Sequence, residues 1–466
     1  MNCWPARDGS GGEFERATSA LGQPSLTEVG GGAPATPSAR GPANLTEGAV
    51  ASPSAGPHEP VLRWRSRAHS IEEIEQELAR IWAQESLALD VDLDGDHVND
   101  RHIAARTSVM NLVVIARRPE VGERSAAVIQ RLTGRHPSRT MVIQPADPDG
   151  PSWLDAQIVA HCVTPSSEAS ETCAETIHMT CGGESGRHLD AIVAPLLIHD
   201  LPVTVWWPDE PPFGSVVVDD LLAMADRLIV DASGWHGTGL PQLRKMAALA
   251  QRYPISISDF ALVRQSRWRE AIAGIFDIPD FLPYLRHIKR IAVAYGVREE
   301  GGAESTNIIK PLYHAAWLGS RLGMTVAKPL AAMNVASRRT PARGGRGAPL
   351  TTPGAGLGAT LRYERTDVAV VIRPVMSEMP PGTTVRVELL ADWRGSELRA
   401  DVTAEQEAVH VRVWQDGVHA LERGFNAPRR NDVDLLAEAI EAGGRDRVAV
   451  ETLELAAQLA AGASDG

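Results

Sequence analysis

Cysteine is scarce in this chain, with 4 in 466 residues, which excludes the disulfide framework of a small secreted domain. In a reducing compartment these cysteines are expected to be free thiols. Aromatic residues make up only 5%, and no run approaches the roughly 18 apolar residues of a membrane span. The best candidate, Ala191 to Trp207, is interrupted by His199, Asp200 and two prolines. The first thirty residues lack the basic start and apolar stretch of a secretory signal, so a cytoplasmic protein with no membrane partner is expected. Basic residues are also in deficit. A net charge of -13 argues against nucleic acid, which selects for clustered Lys and Arg.

Signature motifs of catalysis are missing as well. There is no G-x-S-x-G and no P-loop, and the Gly354, Gly356, Gly358 set precedes a strand where a dinucleotide loop would follow one. His188, His199, Asp200, Asp209 and Glu210 cluster in sequence and can be drawn as acid and base. Histidines within apolar runs are, however, more often core or helix-end residues. Asp90, Asp92, Asp94 and Gly95 fall at positions 1, 3, 5 and 6 of a calcium loop, but position 12, where a bidentate Glu is needed, is Arg101. A solvated acidic linker is the better reading. Cys162, Cys173, His178 and Cys181 lack the close-pair spacing of a zinc site, and on a strand His178 and Cys181 point to opposite faces. Buried thiols are expected there. No catalytic residue, metal or cofactor is assigned.

What is present is clearest from Arg187 to Ser233. His188 to Ile198 reads as a buried helix ended by Asp200-Leu201-Pro202, Val203 to Trp207 as a strand, Val216 to Arg227 as a helix and Leu228 to Val230 as a short strand. Near-continuous apolar strands indicate a mostly parallel sheet covered on both faces. The same alternation runs through VMNLVVIA (109–116) and TMVIQPA (140–146), followed by an antiparallel pair at 153–163 and 174–181. Ser70 opens a helix with a capping box to Glu73, a long amphipathic helix is expected over Asp259 to Asp277, a strand over Arg290 to Tyr295, and a helix closing near residue 324.

Four segments follow. Residues 1–64 form a Gly/Pro-rich tail, with 10 Gly and 8 Pro in the first 60 positions, expected to be disordered. Residues 65–325 form an α/β domain, 326–357 an Arg/Gly/Pro-rich linker, and 358–466 a smaller α+β domain of alternating strands and two helices.

Trp is the commonest aromatic residue, 11 against 6 Phe and 5 Tyr, and it is favoured where proteins anchor on one another. Trp206 and Trp207 are adjacent on a strand and face opposite sides, so one of them can reach the sheet's C-terminal edge beside Asp209 and Glu210. These four are the candidate partner-binding residues. Trp268 and Trp317, at helical spacing among apolar residues, are expected in the core.

PLL at Pro195 to Leu197, the DLP and WW of Asp200 to Trp207, LLAMADRLIVDAS from Leu221, SRWREAIAGIFD from Ser266 and HAAWLGSRLGM from His314 together resemble the glucose-6-phosphate dehydrogenase assembly protein family, OpcA. VMNLVVIA and HPSRTMVI are similar to its N-terminal portion. The resemblance covers about 70–325 well and the C-terminal domain more loosely. It implies a non-catalytic protein of the oxidative pentose phosphate pathway that binds glucose-6-phosphate dehydrogenase and promotes its active oligomer. Two other readings remain open: an enzyme or sensor holding a nucleotide or sugar phosphate at the C-terminal edge of the sheet, and a thiol switch using Cys162, Cys173 and Cys181.

Overall fold

The computed structural model describes residues 60–83, 89–91, 100–102, 105–106, 108–163, 172–298, 306–333, 356–405, 407–442 and 444–462. They form α/β layers around two large mixed sheets. The first sheet has nine strands. Its main path runs Val61–Ala68, Trp153–Val163, Thr172–Gly182, Ser138–Pro145, Met110–Ile115, Val203–Trp207, Arg227–Val230 and Ser256–Asp259, with Ala105–Arg106 beside the third. The pairings of Trp153–Val163 with both of its neighbours are antiparallel. The others are parallel.

The parallel strands are apolar throughout because both faces are covered. Val113, Ile115, Met141, Ile143, Val205, Trp207, Leu228 and Val230 join the larger core. Their odd-even neighbours Leu112, Val114, Val142, Trp206 and Ile229 pack in a second cluster with Phe260. Leu435, Leu436 and Ala437 of the helix Asp432–Glu441 close that second cluster. The chain thus returns from its C-terminal end to cover a face of the first sheet.

The second sheet has eight strands, in the order Thr325–Met333, Gly356–Tyr363, Thr366–Met376, Ile288–Val297, Thr384–Trp393, Ser396–Glu405, Ala408–Gln415 and Val418–Asn426. Only the pair Ile288–Val297 with Thr366–Met376 is parallel. Ile288–Val297, read from sequence together with the first sheet, is bonded on both sides within the second.

Several local expectations change. Val61 to Trp64, assigned to the tail, begins an edge strand in which Trp64, Ser66 and Ala68 are buried and Arg65 and Arg67 exposed. Residues 326–333, assigned to the linker, continue the strand Thr325–Met333; residues 334–355 lie outside the description. The single helix expected over 259–277 is two, Phe260–Val263 and Ser266–Phe276, with Arg264 and Gln265 at the break. Cys162 and Cys173, expected as thiols, are directly opposed across the antiparallel pair and joined in a disulfide. Register alone brings them together. Cys181 is a free, buried thiol, and burial pushes its pKa up to about 11, which makes it a poor nucleophile. The N-terminal tail below residue 60 and the core of the acidic segment, 92–99, lie outside the described residues.

Half of the capping box is present, Ser70 Oγ accepting from Glu73 N at 3.2 Å, while Glu73 Oε2 reaches one residue past the cap to accept from His69 N at 2.7 Å. Among the described residues no helix is long and apolar enough to cross a membrane.

Candidate functional site

The C-terminal edge of the parallel strands is where open α/β sheets present ligand and partner groups. Trp207, Val230 and Asp259 end three adjacent strands there. The sequence lets Trp206 or Trp207 reach the surface at this edge, but both are buried. Trp206 is 3% exposed and Trp207 1%. The reason is tertiary: Trp206 packs on Phe260, with ring centroids 6.1 Å apart, inside the cluster that the C-terminal helix closes. Trp207 is in the opposite core with Phe213 and Trp235.

Asp209 and Glu210 tie down the loop that follows. Arg118 Nη2 donates to Asp209 Oδ1 at 2.6 Å. Glu210 accepts from His236 N at 2.7 Å and from Gln242 Nε2 at 2.6 Å, and its Oε2 lies 2.8 Å from His236 Nδ1. Burial pushes Glu210 up, but the His236 and Gln242 bonds outweigh it and hold the carboxyl below its ordinary range. These contacts brace the loop. No described contact joins His188, His199 and Asp200 to Asp209 and Glu210 as an acid-base pair. The described tryptophan with a substantially exposed indole is Trp153, at 42%, on the same edge of the sheet. It stands opposite Gly182, where a Cβ would collide with the indole.

A cavity of about 290 Å³ opens beside the break that follows the last parallel strand of the first sheet. Its walls come from the break at Arg264–Gln265, the first turns of Ser266–Phe276 and Ile309–Arg321, the 379–384 loop, the adjoining ends of the strands Ser396–Glu405 and Ala408–Gln415, and the segment from Ala427 to Arg430. Gly382 fixes that loop: its φ is +77°, its N–H donates to Gly296 O at 2.9 Å, and a Cβ would strike the Asn307 carbonyl. Trp268 forms a wall, its ring 5.1 Å from that of His314.

Sequence reasoning missed this site. A usable signal was present: Lys310 and His314 stand at i and i+4 in a helix whose first three turns are otherwise apolar. The break that delivers Arg264 and Gln265 had no Pro or Gly to announce it.

Burial pushes the His314 imidazole down to about 3, assisted by the Arg269 charge. Burial, then His178 and Arg65, pushes His161 down to about 4. Both histidines stay neutral when folded but protonate near pH 6.5 when unfolded. Their contribution to stability is therefore full above pH 6.5 and lost as pH falls toward 4. Denaturant midpoints are expected to drop over that window, less steeply in His161→Gln; an unchanged slope in the variant would contradict the assignment to His161.

Family comparison accords with the fold. Residues 129–248 match the model described as the glucose-6-phosphate dehydrogenase subunit N-terminal domain, and 255–453 the model of its C-terminal domain. A Synechocystis sp. protein provisionally named OxPP cycle protein OpcA is 25% identical over 201 residues, 43% of this chain and 40% of that protein. The chain therefore matches less than half the length of this curated relative. Among solved structures, a 3-ketoreductase from Actinomadura kijaniata superposes with a TM-score of 0.39 at 13% identity, covering 75% of this chain and 95% of that one. An oxidoreductase from Bacillus cereus gives 0.40 at 9%, covering 75% and 94%. Likenesses this weak carry no argument about chemistry. With two consecutive family models matched over more than half of its length, the chain belongs to the glucose-6-phosphate dehydrogenase subunit family, OpcA.

Proposed function

We propose that the protein is a non-catalytic factor that binds glucose-6-phosphate dehydrogenase in the oxidative pentose phosphate pathway and favours its active, assembled state. The match to both domain models of the dehydrogenase subunit family, in order along the chain, carries this reading. The bracing role of Asp209 and Glu210 supports it, since these two of the five acid-base candidates are engaged in ties that hold their own loop. By linkage, such a factor shifts the dehydrogenase toward its active state only as far as it binds that state more tightly.

The contact surface is assigned to the C-terminal edge of the first sheet, where Trp153 is 42% and Val216 64% exposed. Trp206 and Trp207 contribute by supporting that edge from beneath, and the loop carrying Asp209 and Glu210 needs little ordering on binding because it is already tied. Trp153→Ala and Val216→Arg, both surface changes, are expected to fold normally and weaken the complex at least about tenfold, the effect of losing a hot-spot side chain. Calorimetric titration against the dehydrogenase from the same organism measures this. Wild-type affinity in both variants would remove the contact from this edge.

A further inference from the structure

The cavity beside the break at Arg264 has five cations in its lining, Arg264, Arg267, Lys310, Arg429 and Arg430, and no acidic residue. Three of them are already neutralised: Arg264 by Asp231 at 2.7 Å, Arg267 by Glu270 at 2.8 Å and Arg430 by Glu438 at 2.6 Å. Lys310 and Arg429 make no such ion pair among the described residues. Crowding of like charge in a protein of net charge -13 calls for a reason.

Stability does not provide one. Lys310 is in the first turn of the helix Ile309–Arg321, where the helix dipole disfavours a cation. Burial lowers its pKa, and although the Asp231 and Asp259 charges pull the other way, those of Arg264 and Arg429 oppose them and the net shift is downward. The cost is relieved if an anion enters.

Three buried side chains of the lining also carry unpaired polar atoms. His314 is fully buried with both ring nitrogens unpaired, Thr384 is 4% exposed with Oγ1 unpaired, and Gln265 is 3% exposed with Oε1 unpaired. Gln265 Nε2 is spoken for, donating to Lys310 O at 2.7 Å. Buried polar atoms are nearly always satisfied, so a group of them around one cavity marks where a polar ligand bonds. Gln265 is also the N-cap of Ser266–Phe276 with no side-chain cap, which leaves the positive end of that helix at the cavity.

We propose that this cavity is a phosphoryl-binding site for a small phosphorylated metabolite. Lys310 and Arg429 take the phosphoryl oxygens, while Gln265, Thr384 and His314 meet hydroxyls of the rest of the molecule beside the Trp268 wall. The volume, about 290 Å³, suits a ligand of sugar-phosphate size and is at the lower bound for small-molecule sites, which begin near about 300 Å³. The site is independent of the dehydrogenase contact, and its test needs no partner.

The test is calorimetric titration of the full chain with glucose 6-phosphate, inorganic phosphate and glucose, each to about 10 mM, above a millimolar Kd. Glucose 6-phosphate is expected to bind saturably and glucose not at all. Lys310→Met and Arg429→Ala should each weaken binding at least about tenfold, the loss of one charge-assisted bond. Lys310→Met should melt no lower than wild type, because the charge it removes is unpaired. Arg429 is exposed, so its variant reports on the site even if the first misfolds. Equal affinity for inorganic phosphate would support the site with free phosphate as its ligand. Binding of glucose as tight as that of its phosphate, unchanged affinity in both variants, or no heat from any probe would overturn it.

Discussion

Replacing Glu175 with Ala is expected to destabilise the protein by roughly 3–5 kcal/mol, the range for removing one partner of a buried ion pair. Glu175 is fully buried on a central strand of the first sheet. It accepts from Arg139 Nε at 2.5 Å and from Trp82 Nε1 at 2.5 Å, while Arg139 Nη1 donates to Leu196 O at 2.8 Å. One carboxylate therefore links two parallel strands to the helix Ile71–Ala83, and its partner reaches the helix Leu189–Leu196. Removing it leaves a guanidinium that is only 9% exposed facing an empty position. Urea unfolding measures the loss. Replacing both partners by Met is expected to recover much of it, because a buried pair contributes little beyond an apolar pair of similar volume. A single variant within 1 kcal/mol of wild type, on the order of an exposed pair, would show that the pair is solvated in solution.

The second large effect is at Asp259, the residue that ends the last parallel strand. Its Oδ1 accepts from Ala232 N at 3.0 Å and Ala261 N at 2.8 Å, and its Oδ2 accepts from Tyr313 OH at 2.7 Å. These bonds start the short helix at Phe260 and tie it to the turn Ala232–Gly234 and the helix Ile309–Arg321. Asp259→Ala leaves two amides and a phenol unpaired. At about 1–3 kcal/mol for each buried orphan, and less than additive, the expected cost is roughly 3–5 kcal/mol.

Asp259→Asn behaves differently. Burial, with the nearby charge of Asp231, pushes the Asp259 carboxyl up to about 7 against the pull of its three donors. A raised folded pKa contributes stability that is full below the unfolded value near 4 and is lost as pH rises through 7. Asn keeps the Oδ1 acceptor, can donate to the Tyr313 oxygen, and carries no charge. Between pH 5.5 and 8 the wild type should lose stability from this group, and Asp259→Asn should not. Equal slopes in the two proteins would contradict a raised pKa.

Much of the first sheet was legible because its strands are short apolar runs bounded by turn residues. Val203–Trp207 and Met110–Ile115 read directly, and the opposite facing of Trp206 and Trp207 follows from the two-residue period. Which elements cover each face was not legible. Trp206 is buried by a helix more than 200 residues later, and no local pattern reports that packing. The same limit applies to Ile288–Val297, whose composition identifies a strand but not the sheet it joins. Val61–Ala68 was hidden by the arginines at alternate positions 63, 65 and 67 beside the Gly/Pro-rich tail. The disulfide needed only the register of a correctly read antiparallel pair: Cys162 and Cys173 are set symmetrically about its loop. Asp209 and Glu210 lie in the loop they tie down, and the cationic cavity is not legible in sequence because its lining is scattered over five segments of chain.

The most direct measurement is the specific activity and oligomer mass of glucose-6-phosphate dehydrogenase from the same organism, titrated with this protein. A saturable rise in rate, accompanied by a heavier species containing both chains, is the predicted result. An unchanged rate and unchanged mass at concentrations well above those of the cell would contradict a role as its assembly factor.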